Sequence, residues 1–204
     1  RPIMESLKNS HPEFKILLTF FSPSGYEVRK DYQGADIICY LPMDMSWNVK
    51  RFLDIVQPDC AIFIKYEFWM NYLLELKKRQ IKTYIVSAIF RESQLFFRSY
   101  GGFYRRLLKS FTHLFVQNDE SVRLLHSIGF DNVTKVGDTR FDRVADIAAK
   151  SKDLPIVQDF KSDAKVLIAG SSWPNDENIL LPYFNQNLSL KLIIAPHEID
   201  EEHL

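Results

Sequence analysis

Cysteine is scarce in this sequence: Cys39 and Cys60 are the only two among 204 residues. With two cysteines, no C-x-x-C pair and no clustered histidines, the sequence offers neither a zinc-type ligand set nor a disulfide framework. Both lie in apolar, strand-like runs, so buried free thiols in a reducing compartment are expected. Net charge is zero, with 26 basic and 26 acidic residues, which argues against a general nucleic-acid binder. No apolar run approaches the ~20 residues of a membrane span, and no signal peptide opens the chain. Internal repeats and low-complexity segments are also missing. The chain opens on Arg1-Pro2 without an initiator Met and closes at Leu204 just after a strand signal. A piece of a longer protein is therefore expected.

What the chain does have is an ordinary core composition, 46% apolar and 25% charged, and many aromatics, with 16 Phe and 9 Tyr. The zero balance hides an asymmetry. Residues 1–110 hold 17 Lys/Arg against 11 Asp/Glu, and the remainder holds 9 against 15, so the halves carry +6 and −6. The basic half is the candidate for an anionic partner.

Short apolar runs recur at Phe14–Phe20, Asp36–Leu41, Cys60–Lys65, Ile81–Ser87, His113–Gln117, Val133–Val136, Lys165–Gly170 and Leu190–Pro196. Near-continuous apolar runs suit parallel strands covered on both faces. Helical patterns separate them. Trp47–Val56 follows Ser46 as N-cap, Glu67–Gln80 has helical apolar spacing, Asp119–Ile128 ends at Gly129, and Asp176–Asn187 is interrupted by Pro182. The alternation predicts an α/β fold with doubly wound, Rossmann-like sheets. A polar, Pro-broken stretch near residues 147–164 predicts a boundary between domains 1–149 and 150–204. The second is too short to be complete.

Ligands of open α/β sheets bind beyond the strands' carboxyl ends. Every candidate site residue lies at such an end. Ser22, Ser24 and Gly25 follow the first run; they suit an anion or sugar hydroxyl, or an ordinary strand-to-helix turn. Asp44 suits a sugar hydroxyl, or a turn carboxylate near the next helix N-terminus. Glu67 and Asn71, four apart, would share one helix face and hold a polyol; a cap beside a packed Trp69 is the alternative. Arg140, in Val136-Gly137-Asp138-Thr139-Arg140, has the rigid fork for a phosphate or carboxylate, or forms a salt bridge at a helix start. Gly170, Ser171 and Ser172 suit a phosphate-cradling loop, though the Gly-Lys-Ser/Thr of a Walker A loop is missing; plain capping by Ser172 or Asn175 is the alternative. His197, after Pro196, can meet a phosphate or base, or is a structural histidine. Residues 89–111 interleave Arg91, Arg98, Arg105, Arg106 and Lys109 with seven aromatics. They read either as an amphipathic helix for an anionic lipid surface or as a core helix with solvated arginines.

The order and spacing of these motifs, from Pro12 to His197, resemble the 3-deoxy-D-manno-octulosonic acid (Kdo) transferases of lipopolysaccharide synthesis. The family's T-x-T-P-T-G is matched loosely by Ser22-Pro23-Ser24-Gly25, and its Y-x-P-x-D by Tyr40, Pro42 and Asp44. E-x-E-x-W-P-N is matched by Glu67, Trp69 and Asn71, with Lys65 for the first acid and Met70 for the proline. G-N-x-K-F-D is matched by Gly137, Phe141 and Asp142, with Arg140 for lysine. S-T-H-x-G-E-E is matched by Ser171, Ser172, Asp176 and Glu177, with Trp173 for histidine and Asn175 for glycine. P-R-H-P-E-R is reduced to Pro196-His197-Glu198, and N-A-R-x-S is poorly kept at Ser87–Arg91. The departures mark a divergent branch.

The resemblance implies a GT-B architecture of two Rossmann-like domains. It implies inverting transfer of Kdo from CMP-Kdo to a lipid A precursor at the cytoplasmic face of the bacterial inner membrane, with no cofactor and no bound metal. By the same resemblance, residues 1–149 are the acceptor-side domain without its first segment, with Ser24, Gly25, Asp44, Glu67 and Asn71 on the acceptor. Residues 150–204 begin the nucleotide-sugar domain, with Arg140, Ser171, Ser172, Glu177, Pro196 and His197 on the donor. Arg91, Arg98, Arg105 and Arg106 face the membrane surface. The general base, a Glu, is expected upstream of Arg1, so this chain alone is expected to be inactive. The alternatives are another GT-B enzyme, such as a UDP-sugar epimerase or a different glycosyltransferase, and a non-catalytic α/β binding module.

Overall fold

A computed structural model describes residues 2–150, 153–187 and 189–199. The chain divides into two compact units, Arg1–Asp146 and Ile147–Leu204. The first runs α1 (Pro2–Ser10), β1 (Leu17–Phe20), α2 (Pro23–Glu27), β2 (Ile37–Tyr40), α3 (Ser46–Val56), β3 (Cys60–Ile64), α4 (Met70–Lys78), β4 (Lys82–Ala88), a 3₁₀ turn at Leu95–Phe97, α5 (Gly102–Leu108), β5 (His113–Val116), α6 (Asp119–Ser127) and β6 (Val133–Lys135). Helix α7 (Thr139–Ala149) contains the division. All ladders are parallel: β1 pairs with β2, and a second sheet has the order β3-β4-β5-β6. Each apolar run of this unit is a strand, with ends shifted by up to three residues.

Burial explains the pattern of those runs. In β4, at the interior of its sheet, Thr83, Ile85 and Ser87 are buried and Tyr84 and Val86 half-buried, so both faces are covered. The larger core cluster joins Leu73 of α4, Ile85, Leu108 of α5, Leu114, Val116 and Leu125 of α6; each such side chain contributes about 1.5–3 kcal/mol on burial. A smaller cluster packs Val49 and Leu53 of α3 against Tyr72 and Leu76 of α4.

Near the amino end of β2, Asp36 ties three segments together. Its carboxylate accepts from Ile16 N at 2.7 Å, from Lys8 Nζ at 2.5 Å and from Lys15 Nζ at 3.4 Å. The Ile16 amide first, and then the Lys8 ammonium, hold its carboxyl far below the usual carboxylate range. A depressed folded pKa adds stability that is full above the unfolded value of about 4 and fades as pH falls below it. Asp36→Asn is therefore expected to lower stability at pH 7 and to flatten its decline below about pH 4 in urea titrations. A decline as steep as in the unaltered protein would count against this.

The second unit runs α8 (Pro155–Lys161), β7 (Lys165–Ser172), α9 (Pro174–Asn185) and β8 (Leu190–Pro196), with β7 and β8 parallel. Helix α9 continues through Pro182. Among its described residues only Ala169 is a buried apolar side chain, while Ile168, Ile179 and Tyr183 are exposed. The described residues of this unit do not close a core of their own.

Four expectations are corrected. Cys39 is only half-buried and Cys60 is exposed. Cys60 starts β3, the edge of its sheet, whose alternate residues face outward. The cap before α3 is Met45, with Ser46 already helical. Helix α4 starts at Met70, not Glu67: the chain leaves β3 through a turn at Lys65, whose φ is a left-handed 63°, and residues 67–69 stay outside the helix. Residues 89–111 are not one helix. Gly101 packs so closely that a Cβ there would lie 2.0 Å from the Leu95 carbonyl oxygen, and only Gly102–Leu108 is α-helical. Among the described residues, no helix is long and apolar enough to cross a membrane.

Candidate functional site

In the first unit, the loops after β1, β2 and β3 meet at the strand carboxyl ends. Phe21 and Trp69 bring two of them together, with ring centroids 4.6 Å apart. Asp44 joins the third. Its carboxylate accepts from Asn71 N at 3.2 Å and Tyr72 N at 3.1 Å, and Asn71 Nδ2 donates to its backbone oxygen at 2.6 Å. Asp44 thus caps α4 from a distant loop rather than serving the helix that follows it, α3. Glu67 lies outside α4, so it does not share a helix face with Asn71; its carboxylate accepts from Trp69 Nε1. Ser22 caps α2 by accepting from Gly25 N at 3.3 Å, and the Ser22 and Ser24 hydroxyls lie 3.3 Å apart. The structure therefore gathers Ser24 and Gly25 of α2, Asp44 and Glu67 of the loops after β2 and β3, and Asn71 at the start of α4 at the carboxyl ends of these strands. Asp44 is committed to backbone amides, while Ser24 and Glu67 stay exposed.

Arg140 also follows a strand of the first unit. Its Nε and Nη2 donate to Asp138 Oδ2 at 2.7 and 2.5 Å, and its backbone N donates to Oδ1 at 2.9 Å. The bonds from Arg140 hold the nearly buried Asp138 carboxyl below its ordinary range, and the Lys65 charge acts in the same direction. Arg140 is thus fixed at the start of α7 by its own neighbour, with the guanidinium still largely exposed. Asp138 was not legible as a partner in the sequence beyond its i, i+2 spacing from Arg140.

In the second unit, Ser171, Ser172, Glu177, Pro196 and His197 gather at the carboxyl ends of β7 and β8. The β7–β8 register shifts between Gly170 and Ser172, where Ser172 pairs with Pro196, and Ser171 has a left-handed φ of 59°. This irregularity sets adjacent hydroxyls to different partners. Ser172 Oγ, buried, donates to Glu177 Oε1 at 2.7 Å. Ser171 Oγ, exposed, lies 2.6 Å from His197 Nδ1. The His197 backbone N donates to Ser172 O at 2.9 Å. The Trp173 ring lies against the His197 ring, centroids 4.5 Å apart at 30°. Asp176 accepts from Trp173 N at 3.0 Å and so fixes the start of α9. The sequence reading treated Trp173 only as a departure from a motif. Among the described residues, no three His, Cys, Asp or Glu side chains form a metal-sized group.

The family model described as 3-deoxy-D-manno-octulosonic-acid transferase (Kdo transferase) matches residues 1–143. The chain belongs to this family. Among curated proteins, this Kdo-transferase family chain is similar to 3-deoxy-D-manno-octulosonic acid transferases of Aquifex aeolicus and Rickettsia bellii. Identities are 28% over 98% of the chain and 26% over 94%, covering 51% and 46% of those relatives. It thus spans about half the length of the curated relatives it matches. Among solved structures it resembles UDP-GlcNAc 2-epimerase of Neisseria meningitidis bound to UDP-GlcNAc, with a TM-score of 0.63 and 17% identity over 95% of the chain and 60% of that structure. A putative UDP-N-acetylglucosamine 2-epimerase of Listeria monocytogenes gives 0.62 and 13% over 95% and 57%. At those identities the likeness is one of fold, the GT-B type.

Proposed function

We propose that the full-length protein transfers Kdo from CMP-Kdo to a lipid A precursor, with inversion and without a bound metal, at the cytoplasmic face of the inner membrane. The observation that carries this is the family match over residues 1–143. The second-unit loop adds to it. A departing CMP needs hydrogen-bond donors and positive charge at its phosphate, and the acceptor hydroxyl needs a base. His197 and Ser171 can face the phosphate. Ser172 and Glu177 satisfy each other and keep the loop in shape, and Pro196 sets the register at the end of β8. Arg140 supplies positive charge for the Kdo carboxylate or the phosphate. On the acceptor side, Ser24, Gly25 and Glu67 offer hydroxyl, amide and carboxylate groups, while Asp44 holds Asn71 in place. The base is a Glu outside this chain. The test incubates the full-length protein with CMP-Kdo and a lipid A precursor. Acceptor mass rising by whole Kdo units, with CMP released, is expected. Epimerisation of UDP-N-acetylglucosamine without Kdo transfer would overturn the proposal.

The anionic-lipid partner is part of the same proposal, with a smaller set of residues. Arg105 donates to the carbonyls of Phe96 at 3.0 Å and Arg98 at 2.9 Å, so it is spent within the fold. Phe90, Phe96 and Phe111 lie in the core. Arg91 and Arg98 remain exposed. Arg106 and Lys109 are also exposed and, with Gly102, Arg105, Ile128 and Phe130, line a cavity of about 260 Å³. Lys109, Ile128 and Phe130 precede β5 and β6, on the amino side of the sheet and away from the loops of the site. With about 1 kcal/mol per basic residue near an anionic surface, replacing both Arg106 and Lys109 by Gln is expected to weaken binding to phosphatidylserine vesicles roughly thirtyfold at low salt. The loss should shrink as salt screens the charges, and thermal stability should stay put. Unchanged vesicle binding would remove this partner.

A further inference from the structure

Trp173 stands where the family motif has histidine, and it is half-exposed with one ring face on His197. The clamp on His197 has three parts. Its backbone N is pinned to Ser172 O at 2.9 Å, its Nδ1 sits 2.6 Å from Ser171 Oγ, and its ring lies against the indole. Ser171 reaches Nδ1 through its left-handed backbone, φ 59°, at the irregularity in the β7–β8 register. For a non-glycine residue such a conformation is costly and persists where the surroundings demand it. The other ring nitrogen, Nε2, has no hydrogen-bond partner among the described residues.

We propose that Ser171 and Trp173 are positioning residues that hold His197 as a one-directional donor. Ser171 donates its hydroxyl hydrogen to Nδ1, so the neutral imidazole carries its hydrogen on Nε2. Trp173 closes one face of the ring and fixes its plane. Nε2–H is then aimed at an anionic oxygen, of the class carried by a nucleoside monophosphate ester. The assignment rests on the donor-site proposal above, and it moves Ser171 from contacting the ligand to orienting the group that does. It also gives Trp173 a role that a histidine could fill only with a smaller ring.

The test uses the full-length protein with ¹⁵N-labelled histidine, the His197 signals identified by their loss in His197→Ala. Without any ligand, ring-nitrogen shifts are expected to show hydrogen on Nε2 and a hydrogen-bonded Nδ1. Ser171→Gly tolerates the left-handed backbone and removes only the hydroxyl. It should mix the two tautomers and raise the CMP-Kdo KM about tenfold, the scale of one lost hydrogen bond to a charged group, with kcat changed far less. Trp173→Ala should do the same, and Trp173→Phe, which keeps a ring face, should recover most of the KM. Nitrogen shifts unaltered in both Ser171→Gly and Trp173→Ala would overturn the clamp. Altered shifts with an unchanged donor KM would overturn the donor role while leaving the clamp in place. Kdo transfer that is absent in every form, the unaltered protein included, would instead overturn the function on which the proposal rests.

Discussion

Phe90→Ala is expected to destabilise the first unit by about 3–5 kcal/mol, the cost of removing a fully buried Phe and leaving a cavity. Phe90 is completely buried, and its ring meets Phe68, Phe96 and Phe97 with centroids 5.8–6.1 Å apart. Its backbone N donates to the buried Ser121 Oγ at 2.8 Å, which ties the end of β4 to α6. A loss of that size is a large share of a typical stability of about 5–15 kcal/mol. In the same segment, Phe103 is exposed, and Phe103→Ala should change stability by no more than about 0.5 kcal/mol. Urea unfolding of both variants separates the two roles in residues 89–111. If the two variants lose stability equally, the aromatics of this stretch do not divide into core and surface as described.

The second large effect is expected at Asp44. Removing a helix cap typically costs about 0.5–2 kcal/mol. Asp44 does more than an ordinary cap, because it accepts from two amides of α4 and its own carbonyl holds Asn71, all across 27 or 28 residues of chain. Tyr72, next in line, donates its hydroxyl to Pro42 O at 3.0 Å, and burial pushes that hydroxyl's pKa well up. Asp44→Ala is therefore expected at the upper end, about 2 kcal/mol, or a fall in Tm of roughly 4–8 °C for a chain of this size. Amide exchange at Asn71 and Tyr72 should quicken before the rest of α4. Asp44→Asn keeps one acceptor and should lose less. A sugar-binding role alone would raise the acceptor KM and leave Tm and amide exchange unmoved, which would contradict the capping role.

The strands were legible because a parallel strand covered on both faces needs apolar residues nearly throughout, and that composition is local. Helix starts were less so. The α4 cap is a carboxylate 27 residues upstream of Asn71, and nothing near Met70 in the sequence announces it. Glu67, which the i, i+4 spacing puts on one helix face with Asn71, instead lies before α4 and accepts from the Trp69 indole. Burial of the two cysteines was misjudged for a related reason: an apolar run says strand, but position in the sheet decides exposure, and β3 is an edge. At the site, residues at strand carboxyl ends could be named from topology alone, as Ser171, Ser172 and His197 were. Their division of labour could not. It depends on the register shift that sends Ser171 to His197 and Ser172 to Glu177. The roles of Asp138 and Trp173 were not legible because each matters through one neighbour, Arg140 and His197 respectively, and pairing is a property of space rather than spacing.

The most direct measurement is a titration of the full-length protein with CMP, and separately with UDP, following backbone amide signals by NMR. CMP is expected to move the amides of Ser171, Ser172 and His197 at concentrations where UDP leaves them in place, while Asn71 and Tyr72 at the start of α4 stay still. Equal or stronger movement with UDP, or a CMP response that spares residues 171, 172 and 197, would contradict the placement of a CMP-sugar donor at the ends of β7 and β8.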